Sequence, residues 1–228
     1  MSQNNRYQMV AIAIFAACAF AVTAYGGPPL LCHPYEIGDA KSLPWGGGAF
    51  DRNKKYDTAE LIPDTLALLG DQTPLLERME TVRRAAIYAN SEPSRKCAEL
   101  TKALDSRRGE TLRPDAPKNT KVMRDFDYWL AAGAIAQFSY RDGAPANRRA
   151  AYDGAIKSLG DTPRTAEIEF ALAVLSWDLQ IAEHHGHVAA ACDQTAEDSL
   201  LAANIRSRFA DGAKSLKEIR ENHAKKAR

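Results

Sequence analysis

Glu183-His184-His185-Gly186-His187 gathers three imidazoles and a carboxylate into five residues. On a helix, His184 and His187 stand three apart and Glu183 and His187 four apart, so Glu183, His184 and His187 face one side. Such a set can hold zinc or copper and leave a coordination position open for water or another ligand. The sequence has no His-Glu-x-x-His, and no second acidic cluster supplies a general base. The helix that carries the cluster places Ile168, Leu172, Leu175, Leu179 and Ala182 toward the core, with Glu169, Ser176, Gln180, Glu183 and His187 on a polar stripe nearly opposite. A solvated face near a helix end accounts for these residues without a metal. Metal binding, or a metal-dependent hydrolase built on Glu183, His184 and His187, is therefore the alternative reading.

Other candidate chemistry is thinner. His33 and Trp45 lie in "LCHPYEIGDAKSLPWGGGAF", an irregular stretch of the kind that often carries binding residues. The doublets Arg83-Arg84 and Arg148-Arg149 can bind an anion if the fold brings them together, although surface arginines more often pair with neighbouring acids. Trp129 sits at helical spacing with Phe126 and Leu130, which reads as core. Nucleophilic catalysis lacks a Gly-x-Ser-x-Gly, and Cys32 and His33 are chain neighbours whose side chains diverge on an extended backbone. Gly46-Gly47-Gly48 follows no strand and precedes no Lys-Ser/Thr, so it is not a phosphate loop. No cofactor is expected from these residues, zinc or copper being the alternative.

The elements that must position these residues are helices. From Tyr56 onward, apolar residues recur at spacings of three and four between proline and glycine breaks. Asp57-Thr58-Ala59-Glu60, Thr73-Pro74, Ser91-Glu92-Pro93 and Thr162-Pro163 read as helix starts; Gly70, Gly109 and Gly160 read as stops. The helix from Thr162-Pro163 is expected to reach about Ala191, and a last one to run from near Thr195 toward the C-terminus. Six or seven helices result, with no strand. "TVRRAAIYA" and "NRRAAYDGA" form a faint repeat, so the expected architecture is all-α: stacked antiparallel helical hairpins with an extended N-terminal strap. The tail "KEIRENHAKKAR" reads as a solvated helix end.

The N-terminus reads as an address. Arg6 precedes the apolar run Met9–Val22, and Val22-Thr23-Ala24 offers the small residues of a signal-peptidase site, so cleavage is expected after Ala24. The run is too short to span a bilayer comfortably. The expected organisation is a signal peptide over 1–24, a strap over 25–55 and a helical domain over 56–228, with possible halves at 56–110 and 118–228. Without the signal, Cys32, Cys97 and Cys192 remain, and an oxidising compartment favours one disulfide among them, with Cys32 as the preferred partner. Losing Arg6 from 30 basic residues leaves 29 against 29 acidic ones, so no net field draws in nucleic acid or an anionic membrane.

"CHPYEIGDAKSLPW", followed by "LALLGDQTPLLERMETVRRAAIYA", resembles a group of exported bacterial helical proteins. The resemblance implies export and an all-helical body and brings no activity with it. Together these observations point to an exported, non-enzymatic helical scaffold in the periplasm or outside the cell, which binds an envelope or secreted protein or peptide.

Overall fold

The computed structural model describes residues 29–91, 96–112, 114–138 and 144–227. The expected signal peptide, its cleavage after Ala24, the helix start at Glu92-Pro93 and the break at Asp142-Gly143 lie outside these residues. Among the described residues the chain is an all-α bundle without strands: α1 (Pro29–Cys32), α2 (Leu61–Leu68), α3 (Leu75–Ala89), α4 (Cys97–Gly109), α5 (Thr120–Phe138), α6 (Ala144–Leu159), α7 (Ala166–Ser176), α8 (Ala182–Asp193), α9 (Leu200–Phe209) and α10 (Leu216–Lys226). None of these is long and apolar enough to cross a membrane.

Local chemistry sets most boundaries. Asp57 accepts from the Ala59 amide at 2.9 Å and opens a 3-10 turn at Thr58–Glu60, which runs into α2. Pro74 takes the N-cap of α3, so this helix begins one residue later than the Thr73-Pro74 signal suggests. Thr165, Ser199 and Ser215 cap α7, α9 and α10 through their hydroxyls. Gly160 ends α6 at φ +49°, a backbone conformation that glycine adopts without a Cβ penalty.

Two expected long helices are each divided. The one expected to reach Ala191 is broken between α7 and α8 by a turn over residues 177–181, in which Gln180 takes φ +53°. The last is broken between α9 and α10, where Asp211 takes φ +43° and Gly212 φ +84°. No proline marks either turn and the first has no glycine either, so apolar spacing ran on through both.

α7 lies at the centre. Its residues Ala166 and Ile168 to Ser176 are all buried, as a helix covered on every side requires. α8 packs on it and α10 packs on α8. On the other flank α5 packs against α3, α4 and α6. Trp129 of α5 sits over Gly154 of α6 in space a Cβ would fill, and its Nε1 donates to Ser158 Oγ at 3.0 Å.

Residues 33–57 are non-helical and lie against α3 and α9. The Tyr35 amide donates to Glu80 Oε2 at 2.9 Å, and Asn204 exchanges two 2.9 Å bonds with the Glu36 backbone. Arg83 donates to the Leu31 and Ala49 carbonyls, Arg84 to Leu43, and Tyr88 Oη to Pro44. Leu43 is fully buried and Trp45 partly so, whereas Phe50 is 49% exposed.

The expected disulfide is absent: Cys32, Cys97 and Cys192 are free thiols. They sit on α1, α4 and α8, and the segment that a bridge was expected to tether is held by the hydrogen bonds above. Burial raises all three thiols, Cys192 to about 11.

Candidate metal centre

The turn that breaks the long helix also decides where the histidines go. Ile181 caps α8, so His184 and His185 fall in its first turns. His184 folds back over the end of α7: its Nδ1 lies 3.0 Å from the Ala173 carbonyl oxygen and 3.3 Å from Ser176 Oγ. The Ser176 hydroxyl donates to the Leu172 carbonyl at 2.8 Å and therefore turns a lone pair to His184. With two acceptors facing it, Nδ1 carries the proton and Nε2 keeps the lone pair, the tautomer that second-shell carbonyls fix in metal-binding histidines.

The third ring comes from the C-terminal helix. His223 follows Leu216 and Ile219 on the buried face of α10, and its Nδ1 lies 3.0 Å from His185 Nδ1. Ring centroids are 5.1 Å apart for His184–His185, 5.0 Å for His185–His223 and 5.9 Å for His184–His223. One nitrogen from each lies within 4.8 Å of the others, the only such group of three potential ligands among the described residues. Tetrahedral bonds of about 2.05 Å would set ligand nitrogens roughly 3.3 Å apart, so modest ring rotation suffices.

The electrostatics favour neutral rings. Burial, then the neighbouring His185, pushes His184 down to about 4 against the pull of the Ala173 carbonyl. Burial and His185 likewise take His223 down to about 4, and burial followed by Lys226 lowers His185. All three are thus free of a competing proton at neutral pH, as ligation requires. Three imidazoles without thiolate or carboxylate suit late first-row ions such as zinc and copper rather than magnesium or calcium.

Beside the cluster lies a cavity of about 860 Å³, lined by His33, Trp177, Ile181, Arg208, Phe209 and Lys226 among others. Trp177 stacks on Phe209 at 5.3 Å and meets His184 edge-on at 5.5 Å. Gln180 and Asp211, the only described non-glycine residues with left-handed backbones, both line this cavity. Each conformation costs about 1–2 kcal/mol, and such costs concentrate at functional sites.

The sequence-derived ligand set changes accordingly. His184 stays, but Glu183 is exposed and His187 is taken by other partners. His187 Nδ1 lies 2.6 Å from Glu169 Oε2 and its Nε2 2.8 Å from Tyr152 Oη, so both nitrogens are occupied. His185 and His223 replace them. Most of the tail is exposed, as expected of a solvated helix end, but Ile219 and His223 are buried, and spacings of three and four from Leu216 carried that signal.

Of the other sequence candidates, His33 lines the cavity, and burial followed by Arg208 lowers its pKa. Trp45 lies under the guanidinium groups of Arg83 and Arg84, at 4.9 and 5.6 Å. Both arginines clamp Glu80, while Arg148 pairs with Asp178 and Arg149 with Asp153. The two doublets are thus engaged by separate carboxylates.

Comparison with protein-family models, curated proteins and solved structures gives no match. The site's own geometry therefore carries the reading, and it overturns two expectations. A three-histidine cluster able to chelate a metal ion stands where no cofactor was expected, and it favours metal binding over a purely non-enzymatic scaffold.

Proposed function

We propose that this protein binds a late first-row divalent ion, zinc or copper, through His184, His185 and His223, after export to the cell envelope or beyond. The convergence of three neutral imidazoles from α8 and α10 carries the reading. Three protein ligands would leave a coordination position open, the arrangement of sites that act on a further ligand rather than purely structural ones. The apolar N-terminal run with its Val22-Thr23-Ala24 site supports export. The non-helical segment 33–57 serves as a strap that holds His33 at the cavity, with Tyr35 and Glu36 anchored to α3 and α9.

The test uses protein without a histidine tag, loaded with zinc or copper and passed through a desalting column. One equivalent of metal is expected on the wild type and on His187→Ala, and none on a His185→Ala/His223→Ala double variant. Metal retained by the double variant would place the site elsewhere.

A further inference from the structure

The cavity beside the histidines has a charge problem that the metal would deepen. Arg208 is 6% exposed and has no carboxylate within ion-pair distance among the described residues. Its Nη atoms are spent on neutral acceptors: the His33 and Pro34 carbonyls, Asn204 Oδ1 and Ser207 Oγ. Its Nε has no partner at all. The guanidinium lies 3.9 Å from the Tyr35 ring centroid, and the acid that acts on it, Glu80, is already clamped by Arg83 and Arg84. Lys226 adds a second cation at the rim, and Asp211, 3.4 Å from its Nζ, is the one acid lining the cavity.

A divalent ion held by three neutral imidazoles keeps its full charge. With Arg208 and Lys226 against Asp211, the lining then carries a formal excess of three positive charges. The whole chain carries only +1, so this excess belongs to the cavity and not to the protein at large. A concave, partly desolvated site of one sign concentrates ligands of the other.

The apolar wall narrows the class further. Trp177 is one of three large hydrophobic side chains left exposed among the described residues, at 37%, and it borders this cavity. It is backed by Phe209 and flanked by Ile181. A flat ring set against Trp177 would extend an existing aromatic stack.

Building on the metal reading, we infer that the cavity binds a small aromatic carboxylate, its anionic end toward the metal, Arg208 and Lys226 and its ring against Trp177. About 860 Å³ is ample for such a molecule. A neutral ring would leave the cations uncompensated, and a small aliphatic acid would leave Trp177 uncovered.

Cobalt(II) separates this inference from the reading beneath it, because its visible bands report both its own binding and any change of ligand. Tag-free full-length protein is first titrated with cobalt, and the loaded form is then titrated with benzoate, benzamide or acetate. Benzoate is expected to shift the cobalt bands and to bind at least tenfold more tightly than either comparator. Lys226→Gln should weaken benzoate a few-fold, and Trp177→Leu should reduce it to the level of acetate, both with cobalt still bound. Bound cobalt whose bands ignore benzoate, or equal affinity for all three probes, overturns the inference and leaves the metal site standing. Failure of cobalt, zinc and copper alike to bind at His184, His185 and His223 removes both.

Discussion

Helix α8 carries two kinds of histidine, and the contrast between them separates structure from function. His187 is fully satisfied: Glu169 accepts from Nδ1, Tyr152 donates to Nε2, and the charge near Glu169 is balanced by Arg164 at 3.5 Å. Tyr152 is driven up to about 12 by burial and then by Glu183, the opposite of an activated phenol. His184, His185 and His223 have no carboxylate partner, lie beside a cavity, and face one another. A histidine between an acid and a phenol holds helices together. Three histidines that face one another, with neutral acceptors and no carboxylate beside them, keep lone pairs to offer.

Breaking the two sites should therefore give opposite signatures. The largest effect expected is on metal affinity: His223→Ala removes a ligand and should weaken zinc binding by at least a hundredfold, measured against a chelator of known affinity. His187→Ala should leave that affinity within a few-fold. It should instead lower the melting temperature by several degrees, because Tyr152 and Glu169 lose their shared partner at about 1–3 kcal/mol.

Acid sharpens the comparison. His184 and His223 titrate near 4 in the folded, metal-free protein and near 6.5 when unfolded. Between those values the unfolded chain binds more protons, so stability is present above about pH 6.5 and is lost as pH falls toward 4. Melting temperatures measured without metal should decline across that window, and saturating zinc should hold them up at its neutral end. A flat profile from pH 7 to 4 would mean that the rings are not buried neutral.

Packing away from both sites gives a smaller, purely structural effect. Gly154→Ala puts a Cβ into the Trp129 ring and should cost about 1–3 kcal/mol with metal affinity unchanged. The smallest effect is expected at the cavity turn. Gln180→Gly relieves a left-handed backbone and should raise the melting temperature by a degree or two with zinc still bound.

Much of the fold was legible because caps and apolar spacing are local. The stops at Gly109 and Gly160 and the start at Asp57 lie where the residues place them. The division at residues 177–181 was not legible, since Gln180 adopts its left-handed turn without glycine or proline. Within α8 His184 and His187 do keep one side, both turned to α7, but there Glu169 and Tyr152 occupy both nitrogens of His187, which local spacing does not show. His185 needed a partner 38 residues away, a distance that local periodicity does not carry. The disulfide expectation failed because the non-helical segment is anchored by Glu80, Arg83, Arg84 and Asn204 rather than by sulfur.

The chain holds five histidines, few enough to follow individually. Nitrogen-15 spectra of histidine side chains, recorded as zinc is added to tag-free protein, report which ring nitrogens lose their lone pairs. Saturation is expected at one equivalent, with the resonances of His184, His185 and His223 moving together and those of His187 remaining those of a ring held between Tyr152 and Glu169. Changes that follow His187, or that spread over all five rings without saturating, would contradict the three-histidine site.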